Sequence, residues 1–72
     1  MSHTFTVEIE REEDGRWIAE VPALPGVLAY GATEAEALAS VQALALRVLA
    51  DRLEHGEAEA GPLAVSFVPR AA

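Results

Sequence analysis

The chain has no cysteine and no lysine, and its aromatic residues are limited to two Phe, one Trp and one Tyr. Without cysteine there can be no disulfide framework, no thiolate metal site and no cysteine nucleophile. The two histidines, His3 and His55, lie far apart in sequence, so no metal staple is expected either. No apolar stretch reaches the length of a membrane span, and no basic, apolar leader precedes the first periodic segment, so cytoplasmic location without membrane contact is the expectation. Five arginines face twelve acidic residues, a net charge of −7 that repels phosphate backbones. Direct nucleic-acid binding by this chain alone is therefore not expected, whereas a basic protein partner suits the charge. The arginines do not cluster in sequence and are assigned to solvated positions. At 72 residues the chain makes a single domain over 1–72, and one this small buries too little surface to be comfortable alone. A homo-oligomer, dimer or tetramer, is expected.

What is present reads as five elements. From Thr4 to Glu10, Phe5, Val7 and Ile9 alternate with polar residues, the pattern of a half-buried strand. The run Glu12-Glu13-Asp14-Gly15 is a turn. A three-residue loop, Glu13-Asp14-Gly15 with Gly15 left-handed, puts Ile9 opposite Ala19, Val7 opposite Val21 and Arg11 opposite Trp17; a two-residue turn would place Ile9 opposite Glu20. The second strand spans about Arg16 to Val21 and ends at the Pro22-to-Gly26 corner, because proline cannot donate to a ladder. A third strand covers about Val27 to Tyr30. Thr33 then caps a helix, and Glu36 three residues on completes a capping box. The helix begins at Glu34 and runs to Glu54 or His55, where Gly56 stops it. After a loop to Pro62, Leu63, Val65 and Phe67 alternate with Ala64 and Ser66 as a fourth strand before Pro69. The order β-β-β-α-β closes as an α+β fold: an antiparallel meander, a crossover helix on one face, and a fourth strand parallel to the first, in sheet order 3-2-1-4.

Four segments carry a family resemblance: Glu10-Arg11-Glu12-Glu13-Asp14-Gly15, Ala19-Glu20-Val21-Pro22, Leu24-Pro25-Gly26, and Thr33-Glu34-Ala35-Glu36-Ala37-Leu38. With them the chain resembles the N-terminal domain of the HicB-like antitoxins, formerly an uncharacterised protein family, over about Phe5 to Leu53 by motif. The resemblance implies a truncated ribonuclease-H-like fold and a role in a type II toxin–antitoxin pair. In such a pair the domain binds a small basic toxin that degrades messenger RNA. Full antitoxins of the family usually add a C-terminal helix-turn-helix or ribbon-helix-helix segment that binds operator DNA. No such segment is read before Ala72, so no C-terminal DNA-binding domain is expected. Val27 stands where the family often has cysteine, and Ala32 where it often has aspartate.

The helix carries more apolar surface than one sheet requires. At about 100° per residue, its leucines, valines and Ala45 span an arc of roughly 200°, against little more than about 100° for one buried face. Leu38, Val41, Ala45, Val48 and Leu49 are expected on the sheet. Leu46 and Leu53 on one flank, or Leu44 on the other, are left as candidate oligomer or partner contacts. Ile18, with either Val27/Ala29 or Leu28/Tyr30, is expected on the sheet face away from the helix. Trp17 belongs to the core or its rim.

No complete catalytic constellation can be read from the sequence. Two-metal phosphodiester cleavage would need carboxylates from the first strand, the helix and the last strand around metals about 4 Å apart. Glu8 or Glu10 and Asp51 or Glu54 could serve, but Leu63-Ala64-Val65-Ser66-Phe67-Val68 has no acid. Ser2, Ser40 and Ser66 have no evident His and acid partners. His3 belongs to a fraying terminus, and His55 to the helix end, where exposed carbonyls favour a cation. Gly26 and Gly31 flank a strand and form no phosphate loop. No catalytic, metal or cofactor site is expected. The leading expectation is an antitoxin-like binding module, and its rival an orphan oligomeric scaffold of the same fold with no toxin partner.

Overall fold

The computed structural model describes residues 2–72. Its elements are β1 (Ser2–Arg11), β2 (Trp17–Glu20), β3 (Leu28–Gly31), α1 (Glu34–Glu54) and β4 (Ala64–Ala71). They form one four-stranded sheet in the order β3-β2-β1-β4. The β1–β2 and β2–β3 pairs are antiparallel and β1–β4 is parallel, so α1 is the crossover that returns the chain past β1. This is the expected α+β mixed sheet with a helix on one face.

The hairpin takes the register that buries like faces together. Ile9 lies opposite Ala19 and Arg11 opposite Trp17. Glu12 N–H donates to the Arg16 carbonyl at 2.7 Å and Gly15 N–H to the Glu12 carbonyl at 3.0 Å, which leaves Glu13-Asp14-Gly15 as the loop. Gly15 has φ 90°, the left-handed value that a side chain resists. The ladder stops at Glu8–Glu20, so the expected Val7–Val21 pair is not part of it. Both side chains are nonetheless fully buried.

Val21 leaves the ladder because the corner has its own hydrogen bonds. Leu24 N–H donates to the Val21 carbonyl at 3.0 Å, Val27 N–H to the Leu24 carbonyl at 3.1 Å, and Val21 N–H to the Val27 carbonyl at 3.0 Å. Two successive β-turns therefore share Leu24. Pro22 and Pro25 each take the second position of a turn, where a fixed φ is preorganised, and Gly26 at φ 81° takes the third position of the second turn. The three residues at the turn ends, Val21, Leu24 and Val27, are all buried. Beyond ending a strand, the corner drives Leu24 into the core.

Helix α1 starts as the capping residues dictate, with one difference. Glu36 N–H donates to Thr33 Oγ1 at 3.1 Å, but the Glu36 carboxylate accepts from Ala32 N–H at 3.0 Å, one residue before the cap. His55 closes the far end. The helix buries Ala37, Val41 and Ala45, with Leu38, Leu44, Val48 and Leu49 half-buried around them. Ala37 was not on the expected stripe. It is buried because α1 enters against the end of β3: a Cβ built on Gly31 would lie 2.4 Å from Ala37 N. The helix consequently lies over β3 and β2, touches β1 less and scarcely reaches β4.

Both ends of the β1–β4 pair exceed expectation. Strand β1 begins at Ser2, because β4 pairs with it from Ser2–Ala64 onward; His3 is therefore a strand residue, its ring stacked 5.6 Å from Phe5. Strand β4 continues through Pro69 to Ala71. Ala72 N–H donates to the Ile9 carbonyl, so by alternation the amides of even-numbered residues face β1 and those of odd-numbered residues face away. Pro69 occupies an outward position on an edge strand, where a missing donor breaks nothing in the sheet.

Two substitutions test this packing. Leu24→Ala should lower stability by roughly 2–4 kcal/mol, the cost of emptying a buried leucine site. Gly31→Ala should lower it by about 1–3 kcal/mol through overpacking, since the atom it meets is helix backbone and cannot rotate away. Urea titration reads both as lowered midpoints with unchanged slope; a Gly31→Ala protein as stable as wild type would contradict the close approach.

Candidate protein-binding face

The helix covers one face of the sheet, and alternation assigns every strand residue to one side or the other. Phe5, Val7 and Ile9, with Ala19, Trp17, Ala29 and Phe67, belong to the covered side. The open side carries Thr4, Thr6, Glu8 and Glu10 from β1, Ile18 and Glu20 from β2, and Leu28 and Tyr30 from β3. This decides between the two pairs left open by the sequence: Val27 is buried and Ala29 packs on the core, whereas Leu28 and Tyr30 face outward.

Cross-strand neighbours organise this face into an apolar patch along the β3 edge, with acids beside it on the two central strands. Ile18 lies opposite Tyr30 and Leu28 opposite Glu20. Glu20 is in turn opposite Glu8, and Glu10 is opposite Ile18. Two like charges paired across antiparallel strands destabilise a sheet, so their presence calls for a compensating cation. Arg70 on β4 is in register with Glu8 on the other side. Leu28 and Tyr30, on the edge strand β3, keep 39% and 45% of their surface exposed.

Arg16 connects the face to the β1–β2 turn. Its N–H donates to Asp14 Oδ1 at 3.0 Å and its Nε to Oδ2 at 2.8 Å. Its guanidinium carbon sits 4.6 Å from the Tyr30 ring centre, within cation–π range. The assignment of the arginines to solvated positions holds for its exposure, but Arg16 is also anchored on both sides. Backbone and side-chain hydrogen bonds from Arg16 hold the Asp14 carboxyl below its ordinary value. Around it, Glu10, Arg11, Glu12, Glu13, Asp14 and Arg16 line a wide, open depression.

The candidate contact residues separate into different environments. Ile18 is half-buried on the open face, and Leu44 is half-buried against the core. Leu46 and Leu53 remain exposed on the helix flank, where Leu53 lines a shallow hollow with His3, Leu49 and Leu63. The carboxylates considered for metal chemistry do not converge. Glu8 and Glu10 lie on the open face while Asp51 and Glu54 belong to the helix on the opposite side. Among the described residues, no group of three or more His, Cys, Asp or Glu side chains could hold a metal ion. His55 Nδ1 lies 2.8 Å from the Asp51 carbonyl and 3.2 Å from its carboxylate, the helix-end position expected of it. No helix among the described residues is long and apolar enough to cross a membrane.

What sequence reading missed here is the Arg16–Tyr30 contact. Its signal was available, since the three-residue loop puts Arg16 and Ile18 on one face.

The fold and this face define a small α+β module with one helix and an uncovered acidic and aromatic sheet face. The chain is 36% identical over 53 residues to UPF0150 protein Ta0767 of Thermoplasma acidophilum, a match covering 74% of this chain and 77% of that protein. The chain belongs to the UPF0150 family. No family model matches it. No solved structure matches it.

The Asp14 site gives a pH prediction. A carboxyl whose folded pKa is depressed adds stability above its unfolded pKa, and loses it as pH falls through the folded value. Asp14 should therefore titrate below an ordinary aspartate in a carbon-detected NMR titration. Arg16→Ala should move it up toward the ordinary value. An unchanged Asp14 titration in that variant would remove Arg16 as the cause.

Proposed function

We propose that this chain is a binding module of the HicB-like antitoxin kind, acting by protein–protein contact on a small basic toxin that degrades messenger RNA. The observation that carries this reading is the open sheet face, where Glu8, Glu10 and Glu20 border Ile18, Leu28 and Tyr30. Exposed aromatic and aliphatic side chains supply the area that desolvates on contact, and an acidic border speeds and orients the approach of a cationic protein. The quoted resemblance in the corner and helix start supports the same reading, as does membership of the UPF0150 family. On this reading the chain performs no chemistry itself. It covers the surface with which the toxin contacts RNA.

The test is co-expression with a small basic protein encoded beside this chain in its native host. The expected result is a complex that survives purification and suppresses RNA cleavage. Its association should slow as salt rises, and Glu8→Lys with Glu20→Lys should weaken it at least about tenfold. A neighbouring protein that neither binds nor is inhibited would overturn the reading. The rival reading, an oligomeric scaffold with no toxin partner, draws on the exposed helix flank formed by Leu46 and Leu53.

A further inference from the structure

The two edges of the sheet, β3 and β4, differ in what they offer a further strand. On β4 the outward position of Pro69 withholds a donor and blocks pairing. On β3 the bond from Val21 N–H to the Val27 carbonyl fixes the alternation. Odd-numbered residues turn their backbone groups toward β2, so the N–H and C=O groups of Leu28 and Tyr30 point away from the sheet. Among the described residues no other hydrogen bond reaches those groups. The edge reads Leu28-Ala29-Tyr30-Gly31, with neither proline nor charge to block it. It ends at Ala32, whose amide the Glu36 carboxylate already takes.

The charges beside this edge set what an added strand must carry. Glu20 lies directly opposite Leu28 on β2 and opposite Glu8 on its other side. Neither carboxylate makes an ion pair among the described residues. The row through Tyr30 is different, because the Arg16 guanidinium already lies over that ring. The open face therefore lacks a positive charge at the Leu28 row and holds one at the Tyr30 row.

We infer that the outer edge of β3 receives an extended segment of a basic partner, which joins the sheet as a strand with an arginine or lysine beside Leu28 and an uncharged residue beside Tyr30. This rests on the reading of the open face as the site for a basic protein, and gives that contact its mode. Backbone bonds to Leu28 and Tyr30 hold the segment, and the side chains that flank them select it. A residue beside Leu28 stands two strand spacings from Glu20, about 10 Å, a gap that an extended arginine and a glutamate close between them across the leucine. A cation beside Tyr30 would instead meet Arg16. The pattern of charges thus fixes register as well as partner. A second copy of this chain fits less well, since its own β3 brings leucine, alanine, tyrosine and glycine and no cation for Glu20. A partner helix would leave the free amides unpaired.

Hydrogen exchange on the wild-type chain tests the inference with a short synthetic peptide of alternating threonine and valine that carries one central arginine. At saturating peptide the amides of Leu28 and Tyr30 should exchange at least about tenfold more slowly than in the free chain. Those of Ala29 and Gly31, which face β2, should be protected with or without it. A peptide with glutamate in place of arginine should have no effect. Two further forms of the arginine peptide, each methylated on one alternate set of backbone amides, separate strand addition from plain charge attraction: one should lose binding and the other keep it. Glu20→Gln, at an exposed position, should weaken binding roughly threefold. Equal binding of both methylated forms, or unchanged exchange at Leu28 and Tyr30, would overturn the inference. So would protection of those amides that rises with protein concentration alone, which would give the edge to a second copy. The basic protein encoded beside this chain separates the two readings. A complex that leaves Leu28 and Tyr30 exchanging as in the free chain removes strand addition and keeps toxin binding, whereas capture of the peptide with no such complex does the reverse.

Discussion

Everything in this fold follows from how closely α1 lies on the end of β3. Gly31 has no room for a Cβ, because the backbone of Ala37 occupies the place one would take. The residues on both sides of the contact are small: Ala19, Ala29 and Gly31 from the sheet, Ala37 and Ala45 from the helix. Small residues let backbones approach, and close-packed interiors gain dispersion energy from that approach. The position of the helix is thereby fixed toward the β3 side, and its first turn is fixed by Thr33 and Glu36. A helix held there cannot also cover β4. The uncovered strand and the exposed Leu46 and Leu53 are thus consequences of one contact.

The corner from Pro22 to Gly26 serves the same contact. By returning the chain through two turns in the space of a few residues, it places β3 directly beside β2 and supplies Leu24 to the core beside Val21 and Val27. Only with β3 in that register do Leu28 and Tyr30 fall on the open face and Ala29 and Gly31 under the helix. The apolar patch of the open face is therefore set by the same hydrogen bonds that set the core.

Element order, sheet order, helix limits and hairpin register were legible from the sequence because each rests on local chemistry. Alternation in β1, a three-residue loop ending in a left-handed glycine, a threonine cap and a glycine stop are all short-range signals. The misses share a different cause. Ala37 and Leu24 are buried through contacts that form only when distant elements meet, so neither periodicity nor turn chemistry marked them. The strand limits at Ser2 and Ala71 were missed because parallel pairing extends both strands past the point where Pro69 and a chain terminus suggest an end. Of the candidate contacts, Leu46 and Leu53 are exposed as their angular position on the helix implied, whereas Leu44 packs against the core rim. The open face was legible in composition but not in parity, since only the corner's hydrogen bonds decide which β3 pair turns outward.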